Sequence, residues 1–364
     1  MSRPLRYIAL AAGVAALAAA PFFAEKFWLT LGLFAFAAIV AALGLGMLLG
    51  QAGQLSLGHA FFVAVGAYGY TYFAGETKTV GVSHQAGLAL PALLAAVLAV
   101  LLAGVAGALF APVAARLRGI YLGIASLGLV FAGQHVLSNA PLITGGYNGR
   151  TVPFFSLAGF TFDNGPPDEE LLVLGVPFHR EEKLWYLGLV VVAAAYLFYR
   201  NVVRGRPGRA LRSVRDGELM AGIMGVPVTR YKGYAFALSA MYAALGGVLL
   251  SLAFGRIVPV TFDYAMSIEF LVMVVIGGLG SAAGAIAGAV FVSALPRILD
   301  RYSDVLPGLA QPGSEGVSPA VAARFAYGAA AIALLLVEPG GVAAVGRRLR
   351  ATVARRRPIP AETP

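Results

Sequence analysis

Long apolar runs constrain this chain more than any other feature of its sequence. A helix needs roughly 20 apolar residues to cross the hydrocarbon core of a bilayer. Runs of this kind cover residues 5–23, 27–49, 60–74, 86–112, 119–137, 184–200, 233–254, 267–296 and 321–337. The sequence therefore predicts an all-α polytopic membrane protein with a single transmembrane domain over residues 1–346.

The composition agrees with a membrane protein. Hydrophobic residues make up 59% of the chain and charged residues 12%, whereas soluble domains carry about 25% charged residues. The net charge is +10, which in a soluble protein would suggest nucleic acid. Basic residues collect in the cytoplasmic loops of membrane proteins, so we expect membrane lipid and not nucleic acid as a partner.

The loop charges predict which side of the membrane each loop faces. The stretch 200–232 carries eight basic and two acidic residues, whereas 138–183 carries six acidic and three basic ones. Basic loops stay in the cytoplasm, so we expect 200–232 inside and 138–183 outside. Six arginines in the tail 347–364, together with Arg3 and Arg6, place both termini in the cytoplasm. We interpret the first apolar run as a retained helix, because a second run follows it at once.

The long run 267–296 resolves a conflict between these orientations and the helix count. Two cytoplasmic termini require an even number of crossings, and nine runs are present. Glycines interrupt 267–296 at Gly277–Ser281, so we expect this run to cross twice or to be re-entrant, which makes about ten crossings. Non-helical backbone at membrane depth must be covered by protein or a watery cavity. We therefore expect the break to lie inside the bundle.

Enzyme signatures are missing from the sequence. None of the four lysines stands in a phosphate-binding G-x-x-x-x-G-K-[ST] loop, and H-E-x-x-H and G-x-S-x-G do not occur. There are no cysteines, which excludes disulfides and thiolate metal sites. The sequence predicts a protein that is not an enzyme and that has no cofactor or metal.

One polar stretch, Gly50–His59, stands between two apolar runs. Its polar side chains cannot face lipid cheaply, because unsatisfied polar groups in hydrocarbon cost several kcal/mol. They are candidates to line a translocation path or gate: Gln51, Gln54, Ser56 and His59. The alternative is that they form hydrogen bonds between helices at a glycine-rich packing site.

Three further candidates for the path lie toward the outer side. Thr144 and Asn148 belong to Leu142–Gly149, which is a surface turn, or else an outer gate or a docking point for a delivery protein. Glu269 is an ionisable residue near membrane depth, which makes it a functional candidate. It lines the path, or it is simply solvated at the outer interface.

The cytoplasmic stretch 200–232 contains a candidate docking helix. Arginines recur every third residue, on neighbouring turns of one helix face, and apolar residues form a second face. The arginines are Arg209, Arg212 and Arg215, and the apolar residues are Leu211, Val214, Leu219 and Ile223. The segment is either a charged surface helix or a helix that docks on a partner protein.

Several ordered blocks resemble the LivH/LivM family of branched-chain amino acid ABC permeases. These blocks are Gly50–Tyr68, Arg118–Gly128, Thr144–Gly149, Gly208–Lys232 and Ser267–Ser281. The resemblance covers residues 27–340 and implies the ABC importer permease fold, with broken or re-entrant helices. It also implies that Gly208–Lys232 is the coupling segment for an ATPase, in which Glu218 and Gly225 match the family pattern.

The same resemblance implies a bacterial inner-membrane importer built from several subunits. The partners would be a second permease subunit, usually in a heterodimer, two ATP-binding subunits on the cytoplasmic side and a periplasmic binding protein. ATP hydrolysis would then occur in the separate subunits. The implied substrates are branched-chain amino acids, with urea or short amides as the alternative. An ATP-independent transporter or channel is the other alternative, but it would have no use for a docking helix.

Overall fold

The regular structure of the chain is mostly helical. The computed structural model describes residues 3–80, 83–164, 171–173, 176–303, 305, 317–338, 340–344 and 348. Apart from residue 348, the predicted basic tail 347–364 lies outside these residues. Helices α1 to α13 are Arg3–Ala19, Lys26–Ala52, His59–Ala74, Ala92–Arg116, Ile120–Asn139, Pro141–Thr144, Arg180–Arg204, Arg206–Asp216, Glu218–Ile223, Val228–Phe254, Tyr264–Gly277, Ala282–Arg301 and Pro319–Val337.

Short antiparallel strand pairs lie in the connections between helices. They pair as β1 with β2, β3 with β8, β4 with β5 and β6 with β7. The strands β1 to β8 are Lys78–Val80, Ser83–Gln85, Arg150–Thr151, Ser156–Leu157, Phe160–Thr161, Leu171–Val173, Val176–Phe178 and Arg256–Ile257. We call the end of the bundle that carries them the strand end.

The number of helices agrees with the predicted ten crossings. Eight helical segments among the described residues are long and apolar enough to cross a bilayer. Two shorter helices, α1 with 17 residues and α3 with 16, bring the total to ten. Helix α2 lies at the centre of the bundle, because its apolar stretch is almost entirely buried, whereas α4, α7 and α13 bury less than a third of theirs. Those exposed apolar faces suit a lipid environment.

The run 267–296 forms two antiparallel helices, which agrees with both predicted alternatives, two crossings or a re-entrant segment. Helix α11 ends at Gly277 and α12 begins at Ala282. The turn between them requires glycine, since Gly278 has φ 101° and Gly280 has φ 81°. The turn is not inside the bundle, as we had expected, but at one end of it, where Leu279 is exposed. A turn at the end of the bundle does not need to be covered at membrane depth.

The end that carries this turn also carries α8 and α9, and we call it the basic end. There Gly280 approaches Gly50 so closely that a methyl group on Gly50 would clash with the Gly280 nitrogen. At the opposite end, Lys26 and Glu181 form an ion pair of 2.9 Å between the first turns of α2 and α7. Helix α2 therefore runs from the strand end to the basic end.

Candidate functional site

The polar stretch between α2 and α3 is buried and bonded to neighbouring helices. Gln54 Nε2 donates to the carbonyl oxygen of Ala114 at 3.2 Å, and Gln54 Oε1 has no partner among the described residues. His59 Nε2 donates to the carbonyl oxygen of Ala41 at 2.9 Å. Ser56 is buried, and its hydroxyl accepts a backbone N–H two residues along the chain. These bonds match the packing alternative, and a role for these residues in the path stays a prediction.

Gln51 joins α8, in the predicted coupling segment, to the turn between α11 and α12. Its Nε2 donates to the carbonyl oxygen of Gly280 at 3.2 Å, and its Oε1 accepts from Arg212 Nη1 at 3.2 Å. Arg215 Nη1 donates to the carbonyl oxygen of Gly50 at 2.7 Å. Because the last carbonyls of a helix lack partners within the helix, a cation at this position also stabilises the negative end of α2.

The two faces of the coupling segment differ from the sequence-based prediction. We expected Leu211 and Val214 to face a partner, but both are buried against the chain's own helices. They attach α8 to the bundle. The sequence did not show this, because a regular apolar pattern indicates which residues share a helix face but not what covers that face. Arg209 is exposed, and Gly225 ends the segment in a left-handed conformation with φ 80°.

The exposed apolar surface of the segment lies on and just after α9. Glu218 holds this helix in place through an ion pair of 2.7 Å with Arg118 and a second ion pair with Lys232. Beyond Glu218, four large apolar side chains are exposed. We call these four the α9 surface: Leu219, Met220, Ile223 and Met224.

At the strand end, Thr144 and Asn148 have different environments. Thr144 is buried, and its hydroxyl lies 2.6 Å from the carbonyl oxygen of Leu137 and 2.8 Å from that of Ala140. Asn148 is exposed, and its carbonyl oxygen accepts from Arg256 at 2.7 Å. The geometry is that of a hydrogen-bonded turn, which matches the surface-turn alternative. An outer gate here stays a prediction.

Sequence reasoning missed Arg150, which follows this turn. Arg150 is buried, and its Nη1 donates to the carbonyl oxygen of Ile143 at 2.9 Å. Burial lowers the pKa of its guanidinium. The sequence offered only a basic residue in a mostly acidic loop. In the structure, Arg150 fastens the turn to the strand end.

A cavity of about 700 Å³ lies between α2, α10, α11, α12 and α13. Within the part of the chain that the structure describes, Glu269 is the single predicted path residue that lines it. Glu269 Oε1 accepts from Tyr327 Oη at 3.0 Å and from Arg324 Nε at 3.3 Å. The volume is within the roughly 300–1,000 Å³ that small-molecule sites occupy.

Two basic residues of this cavity were also missed. We had assigned Arg297 to a loop, because it lies just past the predicted end of the apolar run 267–296. In the structure α12 continues to Arg301. The signal was present, since Arg297 is followed by Ile298 and Leu299. Arg324 lies within the predicted run 321–337, but nothing in its neighbourhood connected it with Glu269.

No metal site is visible in the described part of the chain. It contains no group of three or more His, Asp or Glu side chains that could hold an ion. What the geometry offers instead is a mixed polar and apolar cavity toward the strand end and an exposed apolar surface at the basic end.

Residues 27–337 match the family described as the permease component of branched-chain amino acid transport systems. The high-affinity branched-chain amino acid transport system permease proteins LivM of Salmonella typhimurium and Escherichia coli are 32% and 31% identical to the chain over 281 residues. The match covers 74% of this chain and 64% of each relative, so it leaves about a third of those proteins unmatched. LivH of Salmonella typhimurium is 28% identical over 119 residues, which are 33% of this chain and 37% of that protein.

No solved structure matches the chain. The assignment therefore depends on the family match, which extends from the first residues of α2 to the end of α13. It includes every helix that lines the cavity, together with α8 and α9. The chain belongs to the family of permease components of branched-chain amino acid transport systems.

Proposed function

We propose that the chain is a membrane-spanning subunit of an ATP-driven ABC importer and forms part of the pathway for branched-chain amino acids. Its partners would be a second permease subunit in a heterodimer, two ATP-binding subunits at the basic end and a substrate-binding protein at the strand end. The relatives support the second permease subunit, because LivM and LivH are both named as permease proteins of branched-chain amino acid systems.

The α9 surface is the observation that carries the proposal. Leu219 is 78% exposed and Met224 is 80% exposed, at the end of the bundle with the most arginines. Contiguous exposed apolar side chains mark interaction sites in folded proteins. The ion pairs of Glu218 hold this surface in place, which favours a rigid partner protein as its occupant. An ATP-independent transporter would have no such occupant.

The structure also supports an orientation for the importer. The basic end carries α8, α9 and the turn between α11 and α12, and the strand end carries the mostly acidic connection between α5 and α7. By the preference of basic loops for the cytoplasm, we place the basic end inside and the strand end outside. Both termini are then cytoplasmic, and the membrane is the inner membrane of a bacterium.

Cysteine labelling tests this orientation, because the chain has no cysteine of its own. We expect Thr161→Cys and Val305→Cys to react with an impermeant thiol reagent in intact cells, since both residues are exposed and lie outside in the proposed topology. Ser213→Cys should react only after permeabilisation. Labelling of Ser213→Cys in intact cells would reverse the orientation. Protection of Val305→Cys would contradict the ten-crossing topology.

Purification and transport test the function itself. We expect the tagged chain, extracted in mild detergent, to bring down a second permease and an ATP-binding subunit. In liposomes with its binding protein, the complex should accumulate leucine, isoleucine and valine only when ATP is present on the side of the basic end. Accumulation of urea or acetamide instead would favour the amide alternative. Leucine uptake without ATP would favour the ATP-independent one.

A further inference from the structure

The cavity has a polar part and an apolar part at different depths. Toward the strand end, its lining includes the first residues of α11 and α13 and the last turns of α12. Deeper in the bundle, the lining is apolar. It consists of Ala37, Ala38, Val63, Leu250, Phe270, Met273 and Val292. A ligand that fits such a lining has a charged or polar group at one end and a hydrocarbon group at the other.

Arg297 supplies a positive charge with unused donors. Its guanidinium carbon lies 3.5 Å from the centre of the Phe34 ring, and its Nη1 donates to the carbonyl oxygen of Ser293 at 2.9 Å. Among the described residues it has no carboxylate partner within ion-pair distance. A guanidinium has five N–H donors, and the hydrogen bond to Ser293 leaves most of them without a partner in the described part of the chain. Carboxylates accept from guanidinium groups in a bidentate geometry.

Glu269 supplies the opposite charge, and half of its carboxylate is free. Both Tyr327 and Arg324 bond to Oε1, which leaves Oε2 without a partner among the described residues. The side chain is 31% exposed and lines the cavity. Glu269 and Arg297 line the same cavity. A ligand with one positive and one negative group can therefore contact both.

We propose that this cavity binds an α-amino acid with an aliphatic side chain as a zwitterion. The carboxylate is bound by Arg297, the ammonium group by Glu269 Oε2, and the side chain lies on the apolar lining between α2, α3 and α12. This inference depends on the proposed function, because it names the step at which the permease itself holds the substrate. The presence of both charges near one another distinguishes an amino acid from urea, which has no charge, and from a simple anion or cation.

The first experiment measures leucine uptake by the complete transporter in liposomes. Glu269→Gln and Arg297→Gln each remove one charge-assisted bond to the ligand, so uptake at limiting leucine should fall about tenfold or more, while the ATP-binding subunit still co-purifies. Two matched controls, Arg301→Gln on the same helix and Glu76→Gln at the strand end, change exposed residues that do not line the cavity. Both should transport normally.

The second experiment detects occupancy of the cavity directly. Ser293→Cys places a thiol in the lining with a small change in volume. During ATP-driven transport, leucine should slow the reaction of this thiol with a small methanethiosulfonate reagent. Isocaproate, which lacks the ammonium group, and isoamylamine, which lacks the carboxylate, should not. Equal protection by all three compounds would contradict recognition of the zwitterion.

The two hypotheses fail in different ways. If the unmodified transporter takes up leucine while Glu269→Gln and Arg297→Gln behave like it, the cavity is not the substrate site and the importer function stands. If labelling of Ser293→Cys is the same with and without leucine in a transporter that moves leucine, the site is likewise wrong. An unmodified complex that moves no branched-chain amino acid contradicts the proposed function and the site together.

Discussion

Replacement of Leu219 by aspartate should detach the ATP-binding subunits from the chain, lowering their co-purification about tenfold or more. Leu219 lies on the α9 surface, 78% exposed in the isolated chain. An apolar side chain of this size gains about 1.5–3 kcal/mol when a partner's groove covers it. The aspartate loses that gain and in addition carries an unpaired charge into the groove, which costs several kcal/mol more.

The design includes two comparisons. Leu172→Asp makes the same chemical change at an exposed residue of the strand end and should leave co-purification unchanged. Arg209→Ala removes an exposed charge of α8 and should have a small effect that disappears at high salt, since exposed charges contribute little to affinity. If Leu219→Asp keeps both co-purification and ATP-coupled uptake, the α9 surface is not the ATPase contact. It would then be a surface that lies on lipid headgroups, as amphipathic helices do.

The architecture of the chain could be predicted from its sequence because bilayer physics acts on simple quantities. The lengths of the apolar runs predicted the helices, and the loop charges predicted which loops lie together on one side of the membrane. Even the hairpin of α11 and α12 followed from charge, since two cytoplasmic termini conflict with nine crossings. The prediction that the break at Gly277–Ser281 lies inside the bundle was wrong. Apolar run length does not show whether a glycine interruption is a kink at depth or a turn at the surface.

The faces of the coupling segment could not be predicted in the same way. Periodicity placed Leu211 with Val214, and the structure buries both against the bundle. The exposed anchors belong to α9, which has only six residues, too few for a periodic pattern. What orients α9 is the contact of Glu218 with Lys232 on the following helix and with Arg118, which lies between α4 and α5 and far away in sequence.

The cavity residues show a similar limit. Glu269 could be recognised because an acidic residue in an apolar run is conspicuous. Arg297 and Arg324 become candidates only when α11, α12 and α13 are packed together, since each lies near the end of an apolar run, where a basic residue is ordinary. Proximity in space, and not residue type, makes the three a group.

Gln51→Leu is expected to uncouple ATP hydrolysis from transport without detaching the ATP-binding subunits. One amide group joins two elements here, because Gln51 accepts from Arg212 of α8 and donates to Gly280 in the turn of the hairpin. The hairpin carries Glu269 and Arg297. Movement of the coupling segment can therefore reach the cavity through the Gln51 side chain and the rigid helices of the hairpin.

The size of the effect follows from the bonds that are lost. A neutral hydrogen bond contributes about 0.5–1.5 kcal/mol and one to a charged group about 1.5–3 kcal/mol. A leucine side chain at position 51 nearly preserves the volume of glutamine, but it bonds neither to Arg212 nor to Gly280. We expect the leucine moved per ATP hydrolysed to fall about tenfold or more, since 1.4 kcal/mol corresponds to a factor of ten. Co-purification of the ATPase should stay normal, because the α9 surface is unchanged.

Two variants separate this linkage from simpler explanations. Gln51→Glu keeps an acceptor for Arg212, but it replaces the amide nitrogen that donates to Gly280 with a carboxylate oxygen, which cannot donate. This variant should therefore uncouple transport if the contact with the turn matters. Gln54→Leu also removes a buried glutamine, yet Gln54 bonds to Ala114 at the end of α4 and to neither α8 nor the turn. If Gln51→Leu and Gln54→Leu lower uptake equally and keep the ratio of leucine to ATP, both residues act in the path and no linkage exists. A lower ratio for Gln51→Leu alone identifies the amide as the connection between the coupling segment and the hairpin.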